Sequence, residues 1–403
     1  MRRSTDHILS THGGNLPRPT DLDALLAKAE DNKAAIQARL PTAVQEVVDK
    51  QIDCGVDVVN DGEYVKAANK GNYVGYIQSR VTGFGVQALP EGEAPKRAGI
   101  AERDRRDFPG FYASGLWLSG SGGPIRPGFA QAGAAAPQSG RNDQVCIGPV
   151  TYIGQDAIKK DVDALQVALK GKSDVDGFIA ALGPLSLGAG VRNLHYKDER
   201  DYMFAVAETM RQEYKAITDA GLIVQVDEPE FCTTWMFYPD WSVEDYRKYL
   251  DFSVEVINHA VEGLPMEQVR FHTCWGSGHR PHTNDIGFQH VIDKMLKINA
   301  QCYTFEASNP RHAHEWKLWE TVKLPEGKII APGVIGHYSD LVEHPELVAE
   351  RLVRFAEIVG KENLQASTDC GIGSRVGHEE IVWAKLSAMA EGCRLAGKRL
   401  KGK

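Results

Sequence analysis

Eight short runs rich in β-branched residues, most followed by a longer stretch of helical period, constrain the fold of this chain more than any other feature. They are HILS (7–10), VDVVN (56–60), FIAAL (178–182), LIVQV (222–226), VRFH (269–272), CYTFE (302–306), KIIAPG (328–333) and LQAST (364–368). Parallel strands need a crossover, and the crossover is normally a helix, so the alternation predicts a (β/α)8 TIM barrel. The intervening helices are legible too. The segment 198–221 is amphipathic and ends at Gly221, and 242–263 opens with Ser242 three residues before Asp245, the spacing of a capping box. With 403 residues, the chain is read as one barrel domain spanning 1–403.

The rhythm breaks after the second strand. Residues 66–145 are rich in glycine and proline, carry no sustained period and include Phe108, Phe111, Tyr112 and Trp117. An insertion of this length with aromatics reads as a lid or as a subunit contact of a homo-oligomer. The segment QVCIGPVTYIG (144–154) alternates like a strand and is expected to pair with part of the insertion as a hairpin outside the barrel.

Composition narrows the partners. The net charge is -8 and there is no basic block, which argues against nucleic acid. No apolar run reaches the roughly 18 residues of a membrane span and no signal-like leader is present, so the expected location is cytoplasmic. The seven cysteines make an odd count that does not suggest a disulfide framework, and Cys54, Cys302 and Cys393 read as buried apolar side chains.

In a barrel of this kind, chemistry gathers at the carboxyl ends of the strands. His272, Cys274, Glu306 and Cys370 fall there and supply an imidazole, two thiols and a carboxylate. Nitrogen and sulfur ligands in this mixture favour Zn2+, and ligands spread over roughly 100 residues point to a catalytic rather than a structural ion. A shell so rich in negative charge is a poor activator of water, which counts against a zinc hydrolase. It suits a substrate thiol that binds deprotonated and keeps its nucleophilicity. Other strand-end candidates are His12, Asp61, Glu63, Asp227, Glu228, His337, Tyr338 and Asp369. Glu63 and Asp227 read equally as ligand contacts or salt bridges. Arg375 could fork onto a carboxylate or sulfonate, or simply pair with the barrel. His279, His282, His290, His312 and His314 read as loop and surface histidines, and GIGSRVG (371–377) lacks the spacing of a dinucleotide fingerprint.

The motifs HTC (272–274), FEAS (305–308) and STDCG (367–371), with VQVDEP (224–229), NDGE (60–63) and GPLSL (183–187), resemble the catalytic barrel of cobalamin-independent methionine synthase and its single-barrel relatives, including epoxyalkane:coenzyme M transferase. The resemblance implies zinc on His272, Cys274, Glu306 and Cys370. It also implies that Glu63 and Asp227 grip the amino group of homocysteine, and that Ser10 and Thr11, beside His12, touch its carboxylate. Glu228 would orient the metal shell or pair with a cation. The family's acid histidine aligns with Tyr338 in GVIGHYS (333–339), one residue after His337, and His337 is preferred as the acid for its ordinary pKa. The expected activity is a zinc-dependent methyltransferase or alkyltransferase acting on a small thiol with a methyl or alkyl donor. The alternatives are epoxide opening by a small thiol, and a binding protein whose zinc is structural. The insertion has no counterpart in the resemblance.

Overall fold

The computed structural model describes residues 1–64, 66, 75–89, 92–99, 102–114, 142–276, 280–373 and 375–401. All eight expected strands form. Among the described residues, eleven strands run in chain order: β1 (Leu9–Ser10), β2 (Val58–Asn60), β3 (Val81–Ala88), β4 (Asn142–Tyr152), β5 (Asp176–Leu182), β6 (Arg192–Asn193), β7 (Ile223–Asp227), β8 (Val269–His272), β9 (Cys302–Phe305), β10 (Ile329–Ile335) and β11 (Gln365–Thr368). Eight of them make one sheet in the order β1-β11-β10-β9-β8-β7-β5-β2, with parallel pairing throughout. Flanking helices complete a (β/α)8 TIM barrel. Strands buried on both faces explain why these segments read as nearly continuous apolar runs.

β1 and β2 stand at the two ends of that order, and the seam between them is closed mainly by side chains. Asp57 N–H donates to Ser10 O at 3.1 Å. In return, Asp57 Oδ2 accepts from Ser10 N at 2.8 Å and from Ser10 Oγ at 2.9 Å, and Thr11 Oγ1 donates to Val58 O at 3.1 Å. Inside the barrel, the buried Arg270 guanidinium lies 3.8 Å over the Phe178 ring and donates to Thr11 Oγ1 at 2.8 Å.

The helix signals hold. The helix Glu199–Asp219 is capped by Asp198, Gly221 takes φ 78 beyond its end, and the helix Val243–Ala260 carries the reciprocal Ser242/Asp245 capping box.

The expected hairpin also forms. β3 and β4 pair antiparallel from Val81↔Tyr152 to Ala88↔Asn142, so the returning strand runs beyond residue 145, and β6 adds in parallel to β4. Beyond the single turn Gly75–Gln78, two helices among the described residues, Glu102–Asp107 and Pro109–Ala113, lie in the insertion where the sequence shows no period. At six and five residues they are too short for one to register. Trp117 lies outside the described residues. Among the described residues, no helix is long and apolar enough to cross a membrane.

Candidate metal centre

The last residue of β8 is His272, and the turn after it delivers Cys274. Cys370 follows β11, three strands away around the barrel. The structure brings one ligand atom from each of the three to within 4.8 Å of the others. The imidazole is pre-aimed: Nδ1 is held by Thr304 Oγ1 on β9 at 2.6 Å, while the buried Nε2 has no hydrogen-bond partner among the described residues. An orphaned nitrogen beside two thiols is costly unless something fills the space between them. The thiols are unequal. The hydrogen bond from Cys274 and the charge of His272 hold the Cys370 thiol well below its ordinary range, whereas Cys274 is pushed well above it. This donor set fits a soft divalent ion such as zinc.

Glu306, the fourth expected ligand, falls in an adjoining group with His337 and Asp369, whose ligand atoms also lie within 4.8 Å of one another. Its Oε1 accepts from Trp275 N at 2.7 Å and its Oε2 from Asn309 Nδ2 at 2.8 Å. Burial pushes its pKa up to about 8, assisted by the charge of Asp369. Asp369 fixes the loop that carries it, accepting from Ala307 N and Ser308 N at 2.9 Å and from Ser308 Oγ at 2.6 Å. Gly333 is needed for this approach, because a Cβ there would fall 2.1 Å from Asp369 Oδ1.

His337 is fully buried, and both its ring nitrogens lack a partner among the described residues. The ordinary pKa expected of it is corrected: burial lowers it to about 3, overcoming the charge of Cys370, so His337 is neutral at ordinary pH. Tyr338 packs edge-on against it at 4.8 Å, its own pKa raised by burial. Arg375 is brought near the thiols: burial lowers its pKa, and Cys370, Cys274 and Glu306 act to raise it.

The acidic side of the mouth comes from the tight turn after β2. Gly62 N donates to Asn60 Oδ1 at 2.8 Å and Glu63 N to Asp61 Oδ1 at 3.0 Å, and Glu63 itself adopts φ 58, an uncommon conformation for a residue with a side chain. Burial, together with the charges of Asp227 and Asp61, raises Glu63 to about 8. Gly14 admits the carboxylate, since a Cβ there would lie 1.9 Å from Glu63 Oε1.

Other expectations are corrected. Ser10 and Thr11 spend their hydroxyls on the seam. His12 is buried with Nε2 on Gln51 Oε1 at 2.7 Å and Nδ1 accepting from Gly14 N at 3.2 Å, so neither nitrogen is left for a ligand. Glu228 reaches the metal-site turn through its backbone, its N–H donating to His272 O at 2.8 Å and its carbonyl accepting from Thr273 Oγ1 at 3.0 Å, while its carboxylate pairs with no cation among the described residues. It accepts from Leu185 N at 2.8 Å and from Ser186 N at 2.9 Å, tying β7 to the turn after β5, and burial raises it to about 8. His282 and His312 are not surface groups. Both are buried and bond Asp285 Oδ2, at 2.6 and 3.2 Å, and His312 stacks on Trp275 at 3.8 Å. His279 lies outside the described residues.

Thr304, Asn309 and Lys66 were not singled out by the sequence. Lys66 carried a signal, its i,i+3 spacing from Glu63; Thr304 carried the alternation that points it inward beside His272.

Part of the insertion docks on this face. Asp104, fully buried, pairs with Arg280 Nη1 at 3.2 Å, and Arg280 Nη2 donates to Trp275 O at 2.6 Å, next to Cys274. Arg103 stacks 3.4 Å over Trp235 and donates to three carbonyls of the segment after β7.

Residues 185–394 match the family model described as cobalamin-independent synthase, catalytic domain. The chain belongs to that family. A relative named methionine synthase from Saccharolobus islandicus is 28% identical over 229 residues, which cover 56% of this chain and 60% of that protein. The match thus spans little more than half the length of this curated relative. The B12-independent methionine synthase of Shewanella sp. W3-18-1, solved with selenomethionine, superposes with TM-score 0.64 at 18% identity over 98% of this chain and 100% of that one. The putative vitamin-B12 independent methionine synthase of Listeria monocytogenes gives TM-score 0.61 at 15% identity over 96% and 98%. These two likenesses establish the shared barrel.

Proposed function

We propose that this member of the cobalamin-independent synthase family is a zinc-dependent thiol alkyltransferase that moves a methyl or other alkyl group from a donor to a small thiol. The observation that carries the reading is the trio of His272, Cys274 and Cys370, the first two buried and the third partly so, whose ligand atoms lie within 4.8 Å of one another and in which His272 Nε2 has no hydrogen-bond partner among the described residues. Relatives named methionine synthase support methyl transfer with homocysteine as the thiol. Bound zinc would supply a centre that holds a thiol deprotonated at neutral pH without withdrawing much of its charge.

The chain's own groups do the rest. Glu306, fixed by Trp275 and Asn309, borders the trio as the fourth ligand or as the group a thiol replaces. Glu63 and Asp227 line the wall that a substrate's amino group would meet. Arg375 presents its charge toward a carboxylate or sulfonate. His337, neutral and with its nitrogens uncommitted, is placed to donate a hydrogen bond to the atom that leaves the donor, and Tyr338 is the neighbouring alternative.

The test is metal analysis followed by X-ray absorption at the zinc edge with and without homocysteine. A gained sulfur scatterer supports the reading, and an unchanged shell rejects it. One observation favours the second reading, epoxide opening by a thiol that lacks an amino group: Lys66 already sits in the acidic corner.

A further inference from the structure

The acidic corner is a cage for an ammonium group. Asp61, Glu63 and Asp227 are all buried, and the charges of Asp61 and Asp227 both act on Glu63. Three carboxyl groups in so dry a place must either hold protons or share a cation. The chain supplies one itself. Lys66 Nζ lies 3.8 Å from Glu63 Oε2 and donates to Ala180 O, a β5 carbonyl beyond the last residue paired with β2. It also sits 4.9 Å over the ring of Tyr76. Carboxylate, carbonyl and aromatic face together form the surroundings that select a primary ammonium. The Lys66 side chain is only 11% exposed, so its charge is held in the corner rather than displayed in solvent.

We infer that Lys66 determines which thiols this site accepts: its ammonium competes with that of an amino-bearing thiol for one cage, shifting preference toward thiols that have no α-ammonium group. The inference rests on the thiol-transfer reading above and narrows its substrate class. Specificity here is a difference between two affinities, and a tethered cation lowers one of them without touching the sulfur end of the site. The wall that could grip a second ammonium already contacts the first, so an incoming amino group must displace Lys66 or share Glu63 with it. A thiol carrying only an anionic tail meets no such competitor.

The test compares two probes that differ by one group, homocysteine and 4-sulfanylbutanoate, by calorimetric titration of the zinc-loaded protein. Lys66→Met keeps the side chain's length and removes its charge. It is expected to raise the affinity ratio of homocysteine to 4-sulfanylbutanoate by about tenfold, because the competing charge is removed for one probe only. Lys66→Arg, which keeps the charge, is expected to hold the wild-type ratio. Because both probes are measured on the same preparation, a loss of folded protein cancels. A ratio unchanged or lowered in Lys66→Met overturns the inference while leaving thiol transfer standing. Failure of both probes to bind wild type and variant alike overturns both.

Discussion

At the scale of single residues, the site is governed by how each polar atom is spent. Thr304 decides which nitrogen of His272 faces the sulfurs, because its hydroxyl holds Nδ1 at 2.6 Å. Thr304→Val should therefore weaken zinc affinity about 10- to 100-fold, the usual effect of removing a group that orients a metal-binding histidine, measured by competition with a chelator. His12 gives a pH prediction. Burial lowers its pKa to about 3, so the folded state holds it neutral while the unfolded chain takes up a proton below its ordinary value. Its contribution is thus present at neutral pH and lost as pH falls from about 6.5 toward 3, at up to about 1.4 kcal/mol per unit. Urea midpoints of His12→Gln should fall less steeply than wild type between about pH 6.5 and 4; equal slopes would refute this. The reactive residue types were legible in the sequence because strand ends concentrate them. Their hydrogen bonds were not. Ser10, Thr11 and His12 looked like substrate contacts, yet the closure of β1 on β2 consumes the two hydroxyls while Gln51 and Gly14 occupy His12, tertiary demands that no local pattern encodes.

At the scale of elements, the strands carried their own signature. Runs buried on both faces must be apolar, so all eight barrel strands stood out. The insertion did not, because helices of six and five residues are specified by what they dock against rather than by period. The docking has a measurable role. Asp104 reaches the turn bearing Cys274 through Arg280, which also pairs with Asp285 at 2.7 Å. The Asp285 carboxyl, raised by burial, is brought below its usual range by Arg280 and the two histidines. Asp104→Asn should speed zinc loss by about tenfold, whereas Arg106→Ala, on the same helix but paired with the exposed Asp240, should not. Stopped-flow chelation with a chromogenic dye would report both. Equal rates in the two variants would show that the insertion does not steady the Cys274 turn.

At the scale of the whole molecule, one eight-stranded sheet joined at a side-chain seam is expected to unfold as a single cooperative body. Asp57 serves the seam with both backbone and carboxylate, so Asp57→Ala should cost about 1–3 kcal/mol and still unfold in a single transition. Two separate transitions in chemical denaturation would contradict the single-body view. The trio has a different relation to the cylinder. His272 and Cys274 leave β8 while Cys370 leaves β11, with β9 and β10 between them. An ion held by all three would be a rivet across one arc of the rim, on the side away from the β2 edge. Chelation should then raise amide exchange in β8 to β11 while β2 and β5 keep their protection, so that loss of the cation slackens half of the mouth and leaves the acidic wall rigid.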